Sequence, residues 1–270
     1  MPLAVCATPI GNLDDVTLRI LRELAEAEIV LCEDTRHTRG LLQRHGIDAR
    51  LVSYHEHNEA KRTAELLPRL EAGARVALVS DAGMPGISDP GARLVTAALD
   101  AGVSVTVLPG PSAVETALVA SGLAADRYLF VGFLPRAARA REALWAELAR
   151  SSDPVVAFES PRRLPASLAS LAAALPERPV AVCRELTKRY EEVVRGTAGE
   201  VAARFLEPAQ GEITLVVGGA GDAELEPQSG GEAVQAVAEL VAAGVARRQA
   251  AELVARLTGV PRNELYRESL

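Results

Sequence analysis

Three Gly/Pro-rich segments stand where short apolar runs end. They are Thr8-Pro9-Ile10-Gly11-Asn12, the longer stretch Ser80-Asp81-Ala82-Gly83-Met84-Pro85-Gly86-Ile87-Ser88-Asp89-Pro90-Gly91, and Pro109-Gly110-Pro111-Ser112-Ala113. Glycine lets a backbone approach a ligand closely, and proline stiffens the loop. Ligands of open α/β sheets sit beyond the carboxyl ends of the strands. One such loop is most simply a tight turn; three together predict a single ligand pocket. Carboxylates and basic groups gather at further run ends: Glu33-Asp34-Thr35-Arg36, Glu159-Ser160-Pro161-Arg162-Arg163, and Arg184-Glu185-Leu186-Thr187-Lys188 with Glu191 and Glu192 behind it. Each alone suits a solvated helix start, where carboxylates complement the dipole. Together they predict the wall of a polar active site.

Several chemistries are excluded. A Walker A loop needs Gly-Lys before Ser or Thr, but Lys61 follows Ala60 and Lys188 follows Thr187. No Gly-x-Gly-x-x-Gly follows the first apolar run, and there is no Gly-x-Ser-x-Gly elbow. His55 and His57, two apart, are expected to share a strand face. With Glu56 between them and no thiolate nearby, polar or RNA-facing roles are favoured over metal binding.

The elements that must hold these groups alternate. Leu3–Ala7, Ile29–Cys32, Arg75–Ser80 and Val103–Leu108 read as strands, with Asp14 or Asp15 capping a helix whose face is Leu18, Leu21, Leu24 and Ala25. Helices are expected near Gly91–Ala101 and from about Ser112. Such alternation predicts α/β layers on a largely parallel sheet. The pattern restarts near Asp126 with strands Tyr128–Phe133, Val155–Phe158, Val180–Cys183 and Ile213–Val217, and helices Ala138–Arg150 and Leu164–Leu175. We read residues 1–122 as an N-terminal α/β domain, 123–218 as a C-terminal α/β domain, 219–231 as an acidic Gly-rich linker, and 232–270 as three short helices with breaks near Gly244 and Gly259.

The chain has 270 residues and a net charge of −7, with 27 arginines but only two lysines, Lys61 and Lys188. Aromatics are only 3%, which argues against extensive base-stacking platforms, and the acidic balance argues against coating nucleic acid by bulk charge. Cys6, Cys32 and Cys183 each sit in an apolar run and are expected as buried free thiols. No signal peptide or membrane span is recognisable, so the expected location is cytoplasmic.

The loops resemble those of the tetrapyrrole methylase superfamily, the class III S-adenosylmethionine-dependent methyltransferases. The full set resembles the ribosomal RNA small subunit methyltransferase I branch. The matching segments are Ala7–Leu13, Glu33–Arg36, Tyr54–Glu59, Ser80–Gly91, Pro109–Ala113, Gly132–Pro135, Glu159–Arg162, Arg184–Lys188 and Gly259–Tyr266. The resemblance implies two α/β domains of the tetrapyrrole methylase fold with a cofactor cleft between them, plus a small C-terminal helical extension. It implies methyl transfer from S-adenosylmethionine to the ribose 2′-hydroxyl of a decoding-centre cytidine, position 1402 of 16S rRNA, by a cytoplasmic homodimer. By the same resemblance Pro9, Asp81, Gly83, Met84, Ser112 and Ala113 line the cleft, and Phe158 covers the cofactor from the other side. Met84 departs from the threonine expected there, and arginines replace the lysines expected over Arg136–Arg141.

A ribose hydroxyl is a weak acid, so a base must take its proton. Candidates are Lys188, Glu159, Glu185, Glu192 and Asp34. Lys188 stands out, because lysine can lose its proton when desolvated and arginine cannot. Its alternative role is an ion pair with Glu192 or a phosphate contact. From Arg127 to Arg163 seven arginines face four acidic residues, and Arg36, Arg139 and Arg162 are candidate RNA contacts. Arg247, Arg248, Arg256, Arg262 and Arg267 on a helix-turn-helix-like extension offer further phosphate contacts. The alternatives are a small-molecule, tetrapyrrole-type methylase using the same pocket, and a non-catalytic RNA-binding protein. No metal site is expected.

Overall fold

The computed structural model describes residues 2–220, 229–258 and 260–269. Short runs rich in β-branched and other apolar residues build the first sheet. Leu3–Cys6 (β1), Ile29–Cys32 (β2), Leu51–Ser53 (β3), Val76–Val79 (β4) and Val105–Leu108 (β5) lie in the order β3-β2-β4-β1-β5, all parallel. Every residue of β1, β2 and β4 is buried, as a sheet covered on both faces requires. Helices Leu18–Glu26 (α1), Thr35–Arg44 (α2), Glu59–Glu71 (α3) and Ala92–Asp100 (α4) make the crossovers. From β1 the chain winds one way, and from β4 to β5 the other. The loops leaving the adjacent strands β1 and β4 therefore flank the reversal point where such sheets bind ligands.

After Ala113–Ser121 (α5), the chain forms a second sheet from Leu129–Phe133 (β6), Val155–Glu159 (β7), Pro179–Arg184 (β8), Glu192–Thr197 (β9) and Ile213–Val217 (β10). The order is β6-β7-β10-β8-β9, and only β6 and β7 run parallel. This sheet is mixed rather than largely parallel, because β10 inserts antiparallel between β7 and β8. Ala138–Leu148 (α6), Leu164–Ala174 (α7) and Ala198–Arg204 (α8) accompany it. Neither β9 nor α8 was expected from the sequence. β9 is an edge strand that begins at Glu192, carries Arg195 and has one buried residue, Val194, so its apolar signal is weak.

Helix α5 follows the first sheet but packs on the second. Val114, Ala117 and Leu118 sit against Val156, Ala181, Cys183 and Val216, together with Ile10 and Leu186 from two loops. The Arg195 guanidinium on β9 donates to the Ser121 carbonyl at 3.1 Å and to that of Ala120, satisfying the carbonyl end of α5. Both sheets accordingly fall in one compact unit, Met1–Ala146 with Asp153–Gly219. The other unit is Glu147–Ser152 with Ala220–Leu270. Its helices Ser229–Ala242 (α9), Arg247–Thr258 (α10) and Arg262–Glu268 (α11) enclose Ala233, Val237, Ala250, Ala251, Val254, Val260 and Leu265. Three helices are found as expected, with the first break at Gly244 and the first helix starting at Ser229. The break at Gly259 and most of the acidic linker, residues 221–228, lie outside the described residues.

Local expectations need correction. Thr17 caps α1, its hydroxyl accepting from the Ile20 N–H at 3.2 Å. Asp14 and Asp15 instead occupy a single 3-10 turn. Leu18 points to solvent, while Ile20, Glu23 and Leu24 face inward; the Glu23 carboxylate meets Arg75 at 3.2 Å. His55 and His57 lie on the turn after β3, not on a strand. The three cysteines are free and buried as expected, and burial pushes the Cys6 thiol up to about 12 and Cys183 up to about 11.

Because α5 couples the two sheets, truncating Leu118 to alanine is expected to destabilise the unit by about 2–5 kcal/mol. Urea denaturation followed by circular dichroism measures this.

Candidate active site

The strand-end loops are laced to one another. Thr8 N–H donates to the Gly83 carbonyl at 2.8 Å and Gly83 N–H returns to Thr8 at 3.1 Å, a two-way bridge between the loops after β1 and β4. Thr8 Oγ1 donates to the Ser80 carbonyl at 3.0 Å, and Ser80 Oγ to that of Gly83 at 3.1 Å. The loop after β2 joins through Asp34 N–H, which donates to Asp81 Oδ1 at 3.1 Å. Gly83 has φ +76°, a conformation side chains rarely adopt, and faces Ile10 and Pro111.

These loops form one side of a cavity of about 560 Å³, a size usual for a cofactor or drug-sized ligand. Asp81–Met84, Ser88, Asp89 and Ser112–Glu115 line that side. Phe130, Phe133, Phe158–Pro161, Leu186 and Gly211–Thr214 line the other. Five carboxylates stand in the wall, Asp81, Asp89, Glu115, Glu159 and Glu212, and among the described lining residues there is no Lys, Arg or His. Ser112 Oγ and Tyr128 Oη both donate to Glu115, the latter at 2.8 Å, and these bonds, the serine's foremost, keep its carboxyl below the usual range. Burial, then the charges of Glu33 and Asp81, pushes Asp89 up to about 6. Glu159 is fully buried and structural: it accepts from Ser167 Oγ and Ser160 N–H, both at 2.6 Å, and pairs with Arg163 at 2.6 Å.

The loop from Glu185 to Glu191 closes the far side under strain. Glu185 (φ +52°) and Thr187 (φ +66°) occupy the left-handed region, which is costly for a β-branched residue. Lys188 Nζ holds Glu185 at 2.8 Å and Glu212 at 2.9 Å. Burial alone would lower its proton affinity, but the two carboxylates outweigh it, so Lys188 is held as an ammonium. This differs from the desolvated lysine that the sequence suggested, and its partners are Glu185 and Glu212, not Glu192.

The structure gathers Asp81, Gly83, Met84, Ser112, Ala113 and Phe158 on this one cavity. Pro9 is buried one residue before the lining residue Ile10. Glu192 instead pairs with Arg184 at 2.9 Å beside a separate shallow groove. Asp34 caps α2, and the Arg36 guanidinium, 2.8 Å away, holds its carboxyl well below the usual range. Arg36, Arg139 and Arg162 are exposed and lie off the lining. Sequence reasoning missed Asp89, Glu115, Tyr128, Phe133 and Glu212. Asp89 and Phe133 lie inside motifs already noted. Glu115 and Tyr128 carried no signal, because only the fold brings them together.

The fold and cleft define a class. Residues 2–202 match the Tetrapyrrole (Corrin/Porphyrin) Methylases, and residues 228–270 match the RsmI C-terminal HTH domain. A uroporphyrin-III C-methyltransferase from Thermus thermophilus, solved with S-adenosylhomocysteine, shares the fold at TM-score 0.56 and 22% identity, over 80% of this chain and 96% of that one. Ribosomal RNA small subunit methyltransferase I of Mycobacterium bovis is 48% identical, over 98% of this chain and 93% of its own length. The namesake from Micromonospora olivasterospora is 45% identical over 98% of this chain and 85% of its own length. The chain belongs to the ribosomal RNA small subunit methyltransferase I family, and it is a methyltransferase.

Asp89 binds its proton more tightly in the fold than in the unfolded chain, with values of about 6 against 3.8. Its contribution therefore lowers stability as pH rises through that window, and the loss is complete above it. Replacing Asp89 by asparagine is expected to raise Tm by about 2–4 °C at pH 8 and by little at pH 4. Calorimetric melts at the two pH values test this.

Proposed function

We propose that the protein transfers a methyl group from S-adenosylmethionine to the ribose 2′-hydroxyl of a decoding-centre cytidine of 16S rRNA. The observation that carries this reading is the sorting of charge, with carboxylates inside the cavity and exposed arginines outside it. S-adenosylmethionine, when bound, supplies an electrophilic methyl carbon on a cationic sulfur. The chemistry of the wall fits such a molecule. Carboxylates favour its positive groups, ribose hydroxyls can donate to Glu115, and Met84, Phe130 and Phe158 offer an apolar seat. In this reading Pro9, Asp81, Gly83, Met84, Ser112, Ala113 and Phe158 hold the cofactor.

The remaining work falls to the chain's own groups. The apolar walls exclude water from the reacting centre. Asp89 accepts the hydroxyl proton. It lines the cavity, no donor among the described residues hydrogen-bonds its carboxylate, and its proton affinity lies near working pH. Glu192 and Asp34, engaged by Arg184 and Arg36, support this geometry from outside it. Lys188 is a positioning residue that fixes Glu185 and Glu212. Arg36, Arg139 and Arg162 contact RNA phosphate, and the helix-turn-helix match at residues 228–270 suits a second RNA contact. The names of the relatives support rRNA as substrate. The reading carries the cytoplasmic homodimer that the resemblance implies; light scattering giving the mass of one chain contradicts the dimer.

The direct test is transfer of labelled methyl to small ribosomal subunits lacking the mark, followed by nucleoside mapping. Label on a cytidine ribose is expected; label on a base, or none on rRNA, overturns the reading. A second test concerns Lys188. Lys188→Met is expected to lower kcat at least about tenfold, while Lys188→Arg, which still pairs with both carboxylates, restores most of it. Turnover abolished in the arginine variant would make Lys188 the base instead.

A further inference from the structure

Phe133 is held in an unusual position. Three of the four phenylalanines, Phe130, Phe133 and Phe158, meet in the cavity wall. Phe158 lies edge-on to both others, at 5.0 Å from Phe130 and 5.6 Å from Phe133. Residues three apart on a regular strand point to opposite faces. Phe130 and Phe133 share a face only because the β6–β7 register slips between Phe130↔Val156 and Phe133↔Phe158. Gly132, at φ +66°, supplies the irregularity, as a β-bulge re-aiming a side chain requires. The ring so delivered is 57% exposed, whereas its two partners are half-buried.

The surroundings indicate what covers it. The turn after Phe133 and the turn after Phe158 are tied together. Leu134 N–H donates to the Phe158 carbonyl at 3.0 Å, and the Arg163 guanidinium donates to the Leu134 carbonyl at 3.1 Å. Arg136 on the first turn and Arg162 on the second are exposed, and no described carboxylate pairs with either. A Cβ on Gly132 would stand 3.7 Å from Ser88 Oγ, so the bulge abuts the loop carrying Asp89. An exposed ring thus shares the cavity wall with Asp89, and the turns beside it carry free guanidinium groups. That set matches an unpaired nucleotide: a π-face for the base, cations for phosphate, and a carboxylate for the sugar hydroxyl.

We propose that Phe133 is the platform on which the target nucleobase stacks once it has left its helix, and that it sets the position of the ribose. This inference rests on the rRNA 2′-O-methyltransferase reading and names the part of the site that receives the nucleotide. Phe133 is a positioning residue, and the expected effect falls on substrate rather than cofactor.

The test uses the full chain with Phe133→Ala, Phe133→Leu and Phe133→Trp, small ribosomal subunits as substrate, and calorimetry with S-adenosylhomocysteine. Alanine and leucine variants are expected to raise KM for the subunit about tenfold, tryptophan to stay near wild type, and S-adenosylhomocysteine affinity to stay within about twofold in all three. An alanine variant equal to wild type overturns the proposal. So does leucine rescue, which would mean apolar packing alone, or a parallel loss of S-adenosylhomocysteine affinity, which would make Phe133 a cofactor wall. Wild-type protein that transfers no label to the subunit would overturn the functional reading, and this inference with it. Transfer by wild type in the same series isolates Phe133.

Discussion

The site depends on one close approach. The loop after β1 meets the strained loop after β8, and Gly11 is where they touch. A Cβ there would lie 2.5 Å from Lys188 Cγ, 2.7 Å from Thr187 Oγ1 and 2.9 Å from the Leu186 carbonyl oxygen. The Asn12 N–H donates to Thr187 Oγ1 at 3.0 Å across the same junction. Thr187 sits in a left-handed conformation, so other contacts must hold it. Glu191 does so by accepting from the Thr187 N–H at 2.6 Å, and Lys188 by bridging Glu185 and Glu212. Gly211, whose Cβ would overlap the Glu185 side chain, completes the packing. The cavity between the sheets is the space this junction leaves.

Electrostatics then divide the labour. A net charge of −7 disfavours bulk attraction to nucleic acid, yet the cavity concentrates carboxylates and the exposed arginines concentrate positive charge outside it. A cationic cofactor and an anionic polymer need not compete for one set of groups. The same arrangement makes RNA binding steeply salt-dependent and cofactor binding much less so. Burial, and then the charges of Glu33 and Asp81, raise the proton affinity of Asp89 to about 6, a cost in stability retained where a carboxylate can exchange protons.

The first sheet was largely legible because β1, β2 and β4 are buried throughout and read as unbroken apolar runs, whereas the short, half-buried β3 gave no such run. The loops were legible because Gly and Pro mark them. The rest depended on partners distant in sequence. Lys188 reads as a lone lysine among arginines, but Glu185 and Glu212, the latter 24 residues further on, together hold it as an ammonium. Strand β9 was hidden by its polar edge, and Glu115 and Tyr128 by the lack of any local pattern. Phe133 carried the wrong phase: alternation sends it away from Phe130, and only the slip at Gly132 brings it back. The low aromatic content argued against stacking platforms in general, yet it did not show that most of the phenylalanines converge on one cavity.

The most direct test of the account is calorimetric titration of S-adenosylhomocysteine into wild-type protein and the Gly11→Val variant, with circular dichroism confirming that both are folded. Wild type should bind one molecule per chain. The variant, whose loops can no longer close on each other, should bind at least about tenfold more weakly, a loss of about 1.4 kcal/mol. Equal affinity in a folded Gly11→Val protein would contradict the claim that this junction builds the cofactor site.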